Sequence, residues 1–239
     1  MKQQITIGKP HDGAKIDPQK TSVLILAAGH GTRMRPLTDN TPKPLLKVGK
    51  HSLIEQHIYR LSAFGFKHIV INTAYLGHKI QQKLGNGKRY AVTISYSDES
   101  ATGALETAGG IKQSLPLINS DPFLVINADI YTDFDFSSML EITPDKLGCV
   151  LLVPNPSHNP DGDFSVNKPI ESTMTFSGIA LYRKKIFNLL PDGKLALGPI
   201  LKRMVDDDML IARPYYGSWT DVGTPERLSE LNSTIQSLS

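Results

Sequence analysis

Four consecutive apolar residues, Val23 to Leu26, run without polar alternation straight into Ala27-Ala28-Gly29-His30-Gly31, and few folds admit that junction. A strand that is apolar on both sides belongs inside a sheet covered on both faces, which means a parallel sheet in an α/β domain. Ala27, Ala28, Gly29 and Gly31 keep side-chain bulk away from the backbone at the strand's carboxyl end. Peptide N–H groups there, at Gly29, Gly31 and Thr32, can approach an anion closely. Arg33 and Lys43 add full positive charge, which suits a phosphate chain better than a neutral ligand. Pro36, Pro42 and Pro44 stiffen the loop that carries them. The segment is not a Walker A loop, since no Gly-Lys-Ser/Thr follows, and Met34 stands where a dinucleotide fingerprint needs its third glycine.

Composition narrows the function. The chain has 239 residues, enough for one domain with a sizeable core, and at 40% hydrophobic and 21% charged it is ordinary for a soluble protein. A formal charge of +3 without a dense Lys/Arg cluster argues against nucleic acid as a partner. Cys149 is the only cysteine, so an intramolecular disulfide and a cysteine-based zinc site are both excluded, and its apolar run marks it as core. No signal-peptide run and no membrane-length apolar stretch is present, so a cytoplasmic location is expected, with no membrane partner. Met1 to Lys20, broken by Pro10, Gly13 and Pro18, reads as a surface arm ahead of a single domain spanning 21–239.

Along the chain, strands and helices alternate. Ser52 and Glu55 have capping-box spacing before Leu53, Ile54, His57, Ile58 and Leu61, with Gly65 as the stop, and His57 on that apolar face reads as a core histidine. Strands follow at His68 to Ile71, Val92 to Tyr96, Phe123 to Ile126 and Leu147 to Val153, with a helix over Gly77 to Leu84. This order predicts a Rossmann-like, doubly wound, mostly parallel sheet, with ligands at the carboxyl ends of the strands. Ser97 to Gly110 reads as a loop whose two closing glycines, Gly109 and Gly110, permit close approach to a ligand. His158 has no Cys or His near it in sequence and reads as a loop residue. Thr224 can cap a final helix that begins at Pro225.

Gly29-x-Gly31-Thr32-Arg33-Met34-x-Pro36, with Thr38 and Pro42-Lys43-Pro44, closely resembles the signature of the sugar-1-phosphate nucleotidylyltransferases, and the resemblance runs from about Ser22 to the C-terminus. It implies that Glu106, Thr107 and Gly109 lie at the nucleotide. Many members have Leu-Gly-Thr-Ala-Gly where this chain has Leu105-Glu106-Thr107-Ala108-Gly109. That departure, with Asn155-Pro156-Ser157-His158 and Gly162-Asp163-Phe164, resembles the N-acetylmuramate-1-phosphate uridylyltransferases of peptidoglycan recycling. The resemblance also makes Asp129 and Asp221, the latter in Trp219-x-Asp221-Val222-Gly223-Thr224, ligands of Mg²⁺. Asn127, Gly162 and Gly178, with Asn167 and Glu171 as candidates, fall at the sugar, and Lys168 is a possible cation there.

Two distant carboxylates beside a triphosphate loop make a hard-oxygen site suited to Mg²⁺. The attacking oxygen of a sugar 1-phosphate is already anionic, so positioning and electrostatics suffice and no general base is required. Arg33 and Lys43 are the expected catalytic residues. UTP with N-acetylmuramate 1-phosphate is the favoured pair. Mannose-1-phosphate guanylyltransferase and glucose-1-phosphate uridylyl- or thymidylyltransferase remain open within the class, and a non-catalytic nucleotide-sugar sensor outside it. Oligomeric state is left open.

Overall fold

The structure, a computed structural model, describes residues 2–8, 14–136, 141–166 and 172–237. Nine strands form the main sheet: β1 (Gln4–Ile7), β2 (Ser22–Leu26), β3 (His68–Thr73), β4 (Thr93–Asp98), β5 (Phe123–Asn127), β6 (Gly148–Val153), β7 (Phe164–Val166), β8 (Ser172–Tyr182) and β9 (Leu210–Pro214). Their order is β6-β9-β1-β7-β8-β5-β2-β3-β4, and β6 also pairs with β8. Neighbours are parallel except at β8, which runs antiparallel to β5, β6 and β7. The doubly wound, mostly parallel sheet expected from sequence is present.

Helices α1 (Leu53–Ala63), α2 (Gly77–Leu84), α3 (Glu106–Ser114), α4 (Lys185–Asn188), α5 (Leu197–Asp206) and α6 (Pro225–Ser237) complete the domain. Alternate residues of β2 explain why its sequence shows no polar alternation. Val23 and Ile25 pack with Ile54, Ile58 and Leu61 of α1 on one face, whereas Leu24 packs with Ala108 and Ile111 of α3 on the other. The chain crosses one face after β2 and the opposite face before β5, so the switch point lies between these two strands, where Leu26 is opposite Asn127.

The capping box closes as its spacing requires: Glu55 accepts from the Ser52 N–H at 3.0 Å and from its hydroxyl at 2.7 Å. These bonds, joined by the Tyr90 hydroxyl, outweigh burial, which acts in the opposite direction, and hold the Glu55 carboxyl down at about 2. His57 is in the core, 2% exposed. Cys149 is fully buried, and burial pushes its thiol up to about 12, so it is packing and not a nucleophile.

The N-terminal residues correct the expected surface arm. β1 lies inside the sheet, parallel to β9 on one side and β7 on the other, and Ile5 is completely buried. Ala14–Lys15 adds a small antiparallel pair with Glu141–Ile142. The main sheet therefore includes residues on both sides of position 21. No helix among the described residues is long and apolar enough to cross a membrane.

Candidate active site

Two loops leave the switch point side by side. Ala128 N–H donates to the Leu26 carbonyl at 3.0 Å, so the glycine loop after β2 and the Asp129 turn after β5 open into one cleft. Gly31, at φ +64°, turns the chain into a short 3-10 turn, Thr32–Met34. A Cβ at Gly31 would press on Thr38 and Lys43 at 3.1 and 3.2 Å, whereas one at Gly29 would meet only open space. Gly31 is thus required by the protein, and Gly29 leaves room for a ligand. Met34, at the missing third glycine, is fully buried with Leu53, Val222 and Leu228 and anchors the loop. Thr38 fastens the loop from its far side, its hydroxyl donating to the Gly31 carbonyl at 2.8 Å.

Arg33, Lys43 and Asp129 border one small recess with Gly29, Gly31, Thr32 and Gly223. Lys43 is buried, and its ammonium lies 2.5 Å from the Asp129 carboxylate. The short ladder of Ile130–Thr132 with Trp219–Asp221 brings in the second carboxylate: Asp221 is opposite Ile130, and Val222 N–H donates to the Asp129 carbonyl at 2.7 Å. Asp221 is itself held by Arg227 at 2.6 Å and by His158 at 3.0 Å. His158 is therefore more than the loop residue its sequence context suggests. Gly223 lies against this pair: a Cβ there would fall 2.2 Å from the Arg227 guanidinium and 3.2 Å from Asp221 Oδ2.

Among the described residues no group of three or more His, Cys, Asp or Glu side chains is placed to hold a metal. Carboxylates are donors that Mg²⁺ accepts, because that ion keeps waters and takes substrate phosphates as its remaining ligands. Of the two expected ligands, Asp129 lines the recess beside Lys43, whereas the Asp221 carboxylate is engaged by Arg227 and His158.

A second part of the cleft, about 220 Å³, lies among Ala27, Lys43, Asn72, Glu99, Glu106 and Asn127. Its wall is a buried polar relay. Ala27 N–H donates to Asn72 Oδ1 at 2.7 Å, Asn72 Nδ2 donates to Glu99 Oε1 at 2.7 Å, and Glu99 Oε2 accepts from Leu105 N–H at 2.8 Å. The relay ties the glycine loop to the start of α3. Burial raises the Glu99 pKa, against the two hydrogen bonds that lower it. Neither Asn72 nor Glu99 stands out in sequence: Asn72 is one polar residue near the end of an apolar strand, and Glu99 is one of several in a polar loop.

The segment 97–110 is not loop to its end, since α3 begins at Glu106. Gly109 faces the protein and not the cleft: its N–H donates to the Leu195 carbonyl at 3.2 Å, and a Cβ would fall 2.2 Å from the Gly193 carbonyl. Gly110 leaves room for the relay, with a Cβ falling 2.7 Å from both Asn72 Nδ2 and Glu99 Oε1. Close packing, and not ligand approach, accounts for both glycines. Glu106 and Thr107 do line the cleft.

Glu106, Thr107 and Asn127 also line a larger pocket of about 760 Å³, together with Gly162. Gly178 does not line it. At φ +80° it lies beneath Asn127, whose amide nitrogen would be 2.6 Å from a Cβ there, so it seats the side chain that does. Asn167, Lys168 and Glu171 lie outside the described residues.

Residues 22–237 match the model of the nucleotidyl transferase family. The chain belongs to that family. An N-acetylmuramate alpha-1-phosphate uridylyltransferase of Neisseria meningitidis is 47% identical over 221 residues, covering 87% of this chain and 95% of that one. A mannose-1-phosphate guanyltransferase of Gibberella zeae is 32% identical over 85% of this chain and 61% of its own. HddC from Yersinia pseudotuberculosis, solved with GMP-PN, superposes with a TM-score of 0.72 at 23% identity, covering 90% of this chain and 99% of that one, a likeness of fold. This nucleotidyl transferase is thus an enzyme that transfers nucleotidyl groups.

Proposed function

We propose that this nucleotidyl transferase joins UTP and N-acetylmuramate 1-phosphate into UDP-N-acetylmuramate and pyrophosphate. One observation carries the reading: the cationic glycine-loop cleft and the larger pocket share Glu106, Thr107 and Asn127 as a common wall. A nucleotide in the first and a sugar phosphate in the second would meet there. The muramate relative at 47% identity and the Glu106 departure support the choice of sugar. The guanyltransferase relative keeps GTP with mannose 1-phosphate as the alternative.

In this reading a phosphate oxygen of the sugar 1-phosphate attacks the α-phosphorus in line and pyrophosphate leaves. Arg33 and Lys43, with the N–H groups of Gly29, Gly31 and Thr32, hold the phosphates and balance the charge that builds on the leaving group. Asp129 and Asp221 would hold Mg²⁺, which supplies charge neutralisation at the phosphate oxygens. Lys43, already beside Asp129, would keep that carboxylate oriented toward the recess. No side chain is needed to take a proton, because the nucleophile is anionic. In this reading the enzyme works in the cytoplasm, in the recovery of cell-wall sugars.

The test is pyrophosphate release with Mg²⁺, crossing UTP, GTP, dTTP and ATP with the 1-phosphates of N-acetylmuramate, N-acetylglucosamine, glucose and mannose. Turnover centred on UTP with N-acetylmuramate 1-phosphate is expected, and Lys43→Met is expected to lower kcat/KM about a hundredfold or more. Preference for GTP with mannose 1-phosphate would replace the reading with its alternative. A folded protein inactive across the grid would point to a nucleotide-sugar sensor.

A further inference from the structure

We infer that Lys2 and Lys202 form a cationic wall in the larger pocket that reads a carboxylate carried by the sugar, and that β1 thereby contributes to substrate choice. The inference rests on the muramate reading and deepens it. The family match begins at residue 22, so β1 lies ahead of the matched residues. It nevertheless sits in the sheet between β9 and β7 and delivers Lys2 and Gln3 to the pocket lining.

Several contacts fix this edge of the pocket. The Lys2 ammonium donates to the Gly162 carbonyl at 2.6 Å and also to the Asp161 carbonyl, which holds it beside a lining residue. An ammonium has three donors, so one is left for a ligand. Gln3 donates to both oxygens of Asp206 at 3.2 and 3.1 Å and so ties β1 to α5. From α5, Lys202 lines the same pocket. Two acidic side chains also border it, Glu106 and Asp163. Asp163 is engaged within the protein, one oxygen accepting from Asn159 at 3.2 Å and the other from Phe176 N–H at 2.8 Å. Glu106 lines both this pocket and the neighbouring cleft.

The rest of the lining includes Phe164, Phe176, Leu197 and Leu201, an apolar surface suited to the face of a sugar ring. A sugar phosphate bound in this pocket would carry its ring substituents among side chains that include both lysines. N-acetylmuramate differs from N-acetylglucosamine by a lactyl ether ending in a carboxylate, and that group matches the wall in charge. A neutral sugar would gain nothing from it.

The experiment compares N-acetylmuramate 1-phosphate with its lactamide, which keeps the shape and loses the charge. It uses wild type, Lys2→Met, Lys202→Met and the double variant, each checked for an unchanged circular dichroism spectrum. Wild type is expected to favour the carboxylate by about tenfold or more in kcat/KM, expressed in KM, and the double variant to lose that preference. Lys2→Arg is expected to retain most of it, which a purely structural role at the 161–162 turn would not require. A double variant that still prefers the carboxylate, or a wild type that treats the two alike, overturns the lysine wall and leaves the muramate reading standing. A wild type that rejects both compounds and turns over a neutral sugar 1-phosphate overturns both.

Discussion

Glu106 occupies the left-handed region, φ +59°, at the position where the resembled Leu-Gly-Thr-Ala-Gly signature has its first glycine. That conformation costs a residue with a Cβ about 1–2 kcal/mol, and such outliers gather where a ligand must be held. Glu106→Gly is therefore expected to stabilise the protein by up to about 1 kcal/mol after glycine's own entropy is charged against it. Glu106→Ala keeps the strain and is expected to give no such gain, so urea unfolding of the two variants separates backbone relief from loss of the carboxylate. His57 makes a different prediction. Its ring is hydrogen-bonded to the Ile130 carbonyl, but burial dominates and holds its pKa at about 4. The unfolded chain, with its histidine near 6.5, then binds more protons below that pH. Stability contributed by neutral His57 is complete above pH 6.5 and drains away as pH falls to about 4, by about 3 kcal/mol in all. Unfolding of metal-free protein between pH 4 and 7 should show this slope, and His57→Gln should flatten it. Glu55, held at about 2 against 4.5 in the unfolded chain, adds a slope of the same sign only as pH falls toward 4.5 and below, so the His57 comparison is read above that pH.

At the level of elements, the glycine loop and the start of α3 are coupled through Asn72 and Glu99. Gly110→Ala would drive a Cβ into both side chains at 2.7 Å, among fully packed neighbours. A loss of about 1–3 kcal/mol in chemical unfolding is expected, with a raised KM for the nucleotide, because the relay sets the wall of that cleft. A loop merely flexible at this point would absorb the methyl group with neither effect. Sequence reading found the strand, the glycines and the cations because each is a local pattern. It assigned Gly109 and Gly110 to ligand approach because a glycine pair looks the same whether the backbone faces a ligand or another chain segment. The Gly193 carbonyl, 84 residues beyond Gly109, and the Asn72 and Glu99 side chains beside Gly110 decide between them.

For the whole molecule, β1 is the main departure from the sequence reading. Four residues, followed by Gly8 and Pro10, carry too little periodicity to identify a strand. The sheet nevertheless supplies hydrogen-bonding partners on both edges, and Ile5 is completely buried between them. Ile5→Ala is expected to cost about 2–4 kcal/mol in equilibrium unfolding. A surface arm would lose almost nothing.

The sequence by itself determined the sheet class, the capped helix α1 and the glycine loop that carries Arg33 and Lys43. Those features are written in short windows, where apolar period, glycine spacing and charge act on adjacent residues. Tertiary structure alone decided that Lys43 pairs with Asp129, that Arg227 and His158 hold Asp221, that Glu99 joins two loops, and that β1 reaches the larger pocket. Each of these unites residues far apart in the chain. Their contact exists only because the sheet places the carboxyl ends of β2 and β5 side by side and lets β1 in between β9 and β7.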